Sequence, residues 1–390
     1  MQPIEEYSYI YGAARVPIGK FNGALASASA PELGAAAIAE ALKRSGVPKE
    51  EISEAIMGNV LSAGVGQAPA RQAAIKSGLP YSVGATTVNK VCGSGLKAVM
   101  LADNAIRLRE SRFVVAGGME NMSQAPYLQT GLRKGVKLGN KEMIDGLILD
   151  GLWDSFLNCH MGEIAETMAR ERGYSREAQD RFALESYRRA RAAQDECVFS
   201  KEIAGVTVEG KLVEKDEQPY SGDLEKLAKL PPAFVKPGGT ITAGNASKIN
   251  DGAAALVLGP HDARFKPLAR VTAQAVNSQK PGEFPIAPAG AIQKLLKKWR
   301  VGTADIDLFE INEAFAVTTM AVIDILGLDP GKVNVNGGAV ALGHPIGASG
   351  ARILVTLLYA LRARNLRNGV AAICLGGGEA LALGVEMIQG

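Results

Sequence analysis

At 390 residues the chain is longer than one hydrophobic core usually supports, so two or three packed units are expected. Its 47% hydrophobic and 21% charged residues match neither a disordered chain nor a membrane protein. Lys plus Arg total 43 against 40 Asp plus Glu, and a net charge of +3 provides no basic field for nucleic acid, which leaves small molecules as the expected partners.

The first third alternates short apolar runs with amphipathic helical patterns. A strand is predicted near residues 7–13, then a helix after Pro31 that Ser29 can cap, with Pro31 and Glu32 suited to its first turn and Gly46 and Pro48 ending it. The strand-like run ATTVNKV leads through CGSG into a helix ending near Arg107, and FVVAGG reads as a short apolar strand closed by a glycine turn. From about residue 121 to 248 the alternation lapses into a charged, irregular segment with one strong helix near residues 176–194. Met, Trp and Leu recur there and the charges are mixed in sign, so it reads as an inserted loop domain rather than disorder. From about residue 268 the alternation returns as LARVTAQAV, a helix after Pro288, DLFEI, a helix through AFAVTTMAVIDIL, and VNVNGG.

Residues 94–120 and 349–379 share one pattern: a Ser-Gly start, an amphipathic helix, a short apolar strand and a glycine turn ending in Glu. This points to a duplicated β-α-β unit, although any two helix–strand units share part of the pattern. The expected division is an N-terminal half at residues 1–120 and 249–269, an inserted loop domain at 121–248, and a C-terminal half at 270–390.

Four cysteines (Cys92, Cys159, Cys197, Cys374) and three histidines (His160, His261, His344) are scattered with no C-x-x-C or H-x-x-x-H pair, so no metal site is expected. The opening MQPIEEYSYIYG carries acids where a secretion signal has basic residues, and no stretch reaches 18 uncharged apolar residues. A cytoplasmic chain without membrane insertion is expected, in a compartment that keeps thiols free.

Cys92, in VNKVCGSGLKAV, sits where an extended segment turns through small residues into a helix. The helix dipole and nearby N–H groups there favour a thiolate, and Gly93 and Gly95 permit close approach of a substrate. His344, between Gly343 and Pro345, is held on a stiff glycine-rich loop and could serve as base or hydrogen-bond donor. Cys374 ends the strand VAAIC beside three glycines, which leaves its sulfur accessible. Asn312 and Glu313 read as a helix cap followed by a first-turn acid. Taken singly, each of these residues also fits a plain structural role. Taken together, all lie at strand ends that turn into helices or glycine loops, where layered α/β folds build active sites.

The joint pattern NKVCGSG, GNAS with INDGAAA, NEAF, GHPIGASGAR and C-x-GGG resembles the thiolase family over essentially the whole chain, including HMGE at residues 160–163. The resemblance implies a duplicated α-β-α-β-α layered fold with two similar mixed-sheet halves, and an acyltransferase passing an acyl group through Cys92. It implies His344 as the partner that generates the thiolate and donates to a thioester oxygen. Cys374 becomes the base toward the second acyl thioester, and Asn312 the holder of a water in one oxyanion hole. The N–H groups of Cys92 and Gly376 form the other.

Acetyl-CoA, acetoacetyl-CoA and CoA are then the ligands, as substrates and products with no separate cofactor, and a homotetramer built from dimers is implied. Leu152, His160, Met161, Phe234, Ala243, Ser247, Ala314 and Phe315 occupy places resembling the pantetheine tunnel. The segment PYSGDLEKLAKLPPAF is short and lacks the arginine that often meets the nucleotide, for which Lys226 and Lys229 are candidate substitutes. Lys248, where glycine is usual, and Glu379-Ala380, where Met-Gly is common, are further departures. His160-Met161 resembles the short-chain, acetoacetyl-type branch, with a broad-range degradative thiolase of β-oxidation and a non-catalytic acyl-CoA or lipid carrier as the alternatives. A ketoacyl synthase would need two histidines at its second site. A dehydrogenase would need a G-x-G-x-x-G after a first strand, which is absent.

Overall fold

The computed structural model describes residues 6–388. Its main strands are β1 (Tyr9–Arg15), β2 (Ile52–Gly58), β3 (Gly84–Val88), β4 (Phe113–Asn121), β5 (Asn250–Gly259), β6 (Ala269–Ser278), β7 (Leu308–Ile311), β8 (Asn368–Leu375) and β9 (Glu379–Met387). They form one sheet in the order β7-β8-β9-β6-β1-β5-β4-β2-β3. The halves meet at its centre through the pairs Tyr9–Arg270 and Ile10–Ala269 of β1 and β6.

On one side of that joint β5 is antiparallel to β1 and β4, while β2 is parallel to β4 and β3. On the other side β9 is antiparallel to β6 and β8, while β8 is parallel to β7. The order of directions is the same in both halves. A parallel bridge from Phe309 to Val333 stands where the second half would have a fifth strand.

The helices are α1 (Ala30–Ser45), α2 (Pro69–Lys76), α3 (Ser94–Arg107), α4 (Met161–Glu171), α5 (Arg176–Asp195), α6 (Ala287–Trp299), α7 (Ala316–Leu326) and α8 (Ile346–Ala363). α3 and α8 pack together between the two halves of the sheet, sharing one core with β1, β4, β5, β8 and β9. α1 and α2 cover the outer face of the first half and α6 that of the second, which gives the layers α-β-α-β-α. α8 is long and apolar enough to cross a bilayer, but it is the mostly buried central helix of this stack.

α1 starts as expected: the Glu32 carboxylate accepts from both the N–H and Oγ of Ser29, and Gly46 ends the helix at φ +69°. The run ATTVNKV behaves differently, since β3 stops at Val88 and residues 89–93 form a tight elbow. FVVAGG does not close in a glycine turn either. β4 runs through Gly117 and Gly118 to Asn121. A Cβ on Gly117 would lie 2.0 Å from the Ala254 oxygen and one on Gly118 2.0 Å from the Gly347 oxygen, so these glycines admit neighbouring backbone. At the equivalent point of the second half, residues 376–378 do turn, with Gly377 and Gly378 at positive φ.

Residues 122–249 leave the sheet. They hold α4, which the sequence pattern did not single out, as well as α5. Their apolar faces pack on α7 and on the helical turn Ala339–Leu342, which precedes the loop carrying His344.

Candidate active site

The elbow after β3 is fixed by its own hydrogen bonds. Asn89 Oδ1 accepts from Val91 N at 3.0 Å, and Ser94 Oγ accepts from Lys90 N at 2.8 Å while donating to Val91 O at 2.6 Å. Val91 is held at φ +45°, a costly conformation for a β-branched residue, and it immediately precedes Cys92. Gly93 leaves little room for a side chain, since a Cβ would press on Leu375 Cδ2 at 2.7 Å and Leu381 Cδ1 at 2.9 Å and those side chains would have to shift.

Cys92, His344, Cys374 and Gly376 converge on one cavity of about 640 Å³. Cys92 comes from the first half and the other three from the second. The backbone N–H groups of Cys92 and Gly376 both face the Cys92 sulfur. Those groups and the helix behind them do not produce a standing thiolate. Burial outweighs them and pushes the Cys92 thiol up to about 12, with the Glu120 carboxyl adding to the rise. Cys374 is not accessible as its strand-end position led one to expect. It is 1% exposed, and burial and then the neighbouring Cys92 raise its thiol as well.

His344 is buried, and desolvation together with the Arg352 guanidinium holds its ring at about 3, so the imidazole is neutral. Its Nδ1 lies 2.6 Å from Ser349 Oγ, and its Nε2 lies 3.5 Å from Asn312 Nδ2. The Pro345 carbonyl, 2.9 Å from Ser349 Oγ, already accepts the N–H groups of Ala348 and Ser349. Ser349 Oγ donates to that carbonyl and can then accept from Nδ1–H, which leaves Nε2 a lone pair facing Asn312 Nδ2; turned to Nδ1 instead, the hydroxyl leaves Nε2 protonated and able to donate. Asn312 Oδ1 is buried with no partner, as suits a group that holds a water. The resting site thus pairs a neutral thiol with a neutral imidazole.

The segment NEAF is not a helix cap. α7 begins at Ala316, and Glu313 is buried, where it accepts from Ser186 Oγ at 2.7 Å, Asn334 Nδ2 at 2.9 Å and Val340 N at 3.1 Å. Glu120 does similar work on the other side of the site. It accepts from the N–H groups of Val60, Leu61 and Gly347, tying the start of α8 to the loop after β2. Neither acid was singled out as functional from sequence, nor was Ser349. Ser349 was detectable in principle, five residues after His344 in GHPIGASG.

Leu152, His160, Met161, Phe234, Ser247, Ala314 and Phe315 all line the cavity. His160 caps α4 by accepting from Gly162 N through Nδ1, and it stacks on Phe234 at 4.7 Å between ring centroids. Ala243 and Lys226 do not belong to this wall. Ala243 is exposed to solvent. Lys226 sits on a helical turn that buries only Leu227, and its ammonium points outward to Asp223 at 3.0 Å. Lys248 does line the cavity, its Nζ donating to Ala246 O at 2.6 Å and Val340 O at 3.3 Å. Among the described residues no group of three His, Cys, Asp or Glu side chains could hold a metal ion.

The family model for the thiolase N-terminal domain matches residues 8–262, and that for the C-terminal domain matches residues 265–387. An acetyl-CoA acetyltransferase of Cupriavidus necator is 49% identical over 387 residues, covering 97% of this chain and 98% of the relative. Acetyl-CoA acetyltransferase 2 of Arabidopsis thaliana is 49% identical over 97% of this chain and 96% of its own length. Among solved structures, the Acat5 thiolase of Ascaris suum in complex with coenzyme A superposes with a TM-score of 0.93 at 46% identity, over 98% of this chain and 100% of the other. The acetyl-CoA acetyltransferase of Bacillus anthracis gives 0.96 at 40% identity, over 99% and 100%.

Proposed function

The chain belongs to the thiolase family, and from that premise we propose that it catalyses the reversible Claisen condensation of two acetyl-CoA to acetoacetyl-CoA and CoA. The observation that carries this reading is the convergence of two thiols from different halves, Cys92 and Cys374, with His344 in one cavity.

Cys92 attacks the carbonyl of the first acetyl thioester and passes its proton through His344 to the departing CoA sulfur, forming the acyl-Cys92 bond as the CoA bond breaks. The N–H groups of Cys92 and Gly376 face the carbonyl oxygen where charge develops. Cys374 then gives up its thiol proton to become the base and removes an α-proton from the second acetyl thioester. Its enolate oxygen is met by His344 Nε2 and a water on Asn312. The enolate carbon attacks the acyl group and releases Cys92, whose sulfur takes up a proton in exchange as the acyl group leaves it. In thiolysis the steps reverse: Cys374 returns a proton to the enolate carbon, and the incoming thiol passes its proton through His344 to the departing Cys92 sulfur.

Two oxygens gain charge at different steps, which is why two donor sets serve one cavity. The apolar wall from Leu152, Met161, Phe234 and Phe315 suits a pantetheine arm. CoA thioesters are substrates in this account, with no resident cofactor. Both cysteines must stay reduced, so we place the protein in the cytoplasm. The test is steady-state thiolysis of acetoacetyl-CoA against a longer 3-ketoacyl-CoA. A higher kcat/KM for acetoacetyl-CoA is expected, and a preference for the longer chain would assign a broad-range degradative thiolase instead.

A further inference from the structure

The Cys92 sulfur depends on two turns that no strand ladder joins: the elbow at residues 89–93 and the hairpin turn at residues 376–378. The second is all glycine; its far end is pinned at Gly378, whose oxygen accepts from Gln279 N at 2.9 Å, whereas Gly376 at its near end has room around it. A Cβ on Gly376 would meet nothing nearer than Val91 Cγ1 at 3.7 Å and Met161 at 3.8 Å. Among the described residues one ion pair crosses between them, from Lys90 Nζ to Glu379 Oε2 at 2.5 Å, with the side chains 24% and 29% exposed.

Each partner is itself anchored. Lys90 belongs to the elbow through its backbone, its oxygen accepting from Gly93 N at 3.0 Å and its N–H donating to Ser94 Oγ. Glu379 closes the hairpin opposite Leu375, and its Oε1 accepts from Ser278 Oγ on β6 at 2.8 Å, which leaves Oε2 facing Lys90.

We propose that the Lys90–Glu379 pair is a positioning device that holds the Gly376 N–H against the Cys92 sulfur. An N–H donor to the sulfur favours the thiolate and so opposes the burial that raises this thiol. A half-exposed pair contributes little to global stability, but a donor displaced by a fraction of an ångström loses most of its effect on the group it serves. Besides the pair itself, the groups around Cys92 are Glu120 on β4, Cys374 on β8 and His344 on its loop, with Lys97 of α3 beside the pair. None of these changes in the test.

The test compares the wild type with Lys90→Met, Glu379→Gln, the double variant, and the reversal Lys90→Glu with Glu379→Lys. The rate of iodoacetamide modification at Cys92 is read by peptide mass at pH 7, 8 and 9, alongside thermal unfolding. Each single variant should be alkylated about threefold to tenfold more slowly at every pH, a thiol pKa rise of half to one unit. The double variant should be no slower than the singles, the reversal should recover most of the rate, and the unfolding midpoint should stay put. Equal alkylation rates in all five proteins would overturn the proposal, as would losses that add in the double variant without recovery in the reversal. The proposal rests on Cys92 as acyl acceptor. Failure of that assignment would show separately, as no acetyl group on Cys92 of the wild type after incubation with acetyl-CoA.

Discussion

Lys248 puts an amine in the cavity wall with two carbonyl partners and the Tyr187 ring 5.6 Å away, and among the described residues no carboxylate lies within ion-pair distance. Desolvation lowers it to about 7, against a slight opposing pull from Glu313. The folded pKa lies below the unfolded value, so between the two the unfolded chain binds more protons and stability rises with pH. Below about 7 the full cost of the buried charge is present. Lys248→Met should therefore raise the unfolding midpoint most near pH 7, with the gain shrinking toward pH 10. A midpoint that falls by the same amount at both pH values would show that the two carbonyl contacts outweigh the charge. His344 behaves in the opposite regime. With its ring at about 3 it keeps one protonation state from pH 5 to 9, so any limb of the rate profile in that interval belongs to another group.

At the scale of elements, the contact between α3 and α8 determines whether the halves can share a site. A Cβ on Gly350 would stand 2.5 Å from Leu96 N, and one on Gly95 2.9 Å from Ala351 N, so the helix backbones approach at the positions that start both helices. Gly350→Ala should destabilise by about 1–3 kcal/mol despite the better helix propensity of alanine, because backbone cannot yield as a side-chain end can. Chemical denaturation measures it, and an unchanged midpoint would mean the crossing has slack. This contact also shows where sequence reading stops. Glycine marks a turn and a close approach alike, and nothing in FVVAGG distinguishes Gly117 and Gly118 from Gly377 and Gly378. Only the distant oxygens of Ala254 and Gly347 do so. α1 was legible because its signals are local, from Ser29 and Glu32 to Gly46. The burial that raises Cys92 and Cys374 was not, since it comes from layers far apart in sequence.

At the scale of the whole molecule, residues 123–143 leave large apolar side chains in solvent, with Leu138 95% and Met143 63% exposed. An apolar arm that none of the described residues covers fits the homotetramer built from dimers that the family resemblance implies, and we propose that a second copy covers it. Light scattering at micromolar concentration should give four times the chain mass, and a monomer would refute it. The duplicated fold also divides the chemistry, since Cys92 comes from the first half and Cys374 from the second. If the first accepts the acyl group and the second only moves protons, the two steps should separate by mutation. Removing a positioned base costs about 10²- to 10⁴-fold, whereas removing the nucleophile stops the pathway at its first step. The decisive measurement is acetylation of the protein by acetyl-CoA, followed by peptide mass separately from turnover, in Cys92→Ala and Cys374→Ala. Cys374→Ala should carry an acetyl group on Cys92 yet fail to turn over, and Cys92→Ala should carry none. Acetylation of Cys92→Ala with none in Cys374→Ala would contradict the assignment of both thiols.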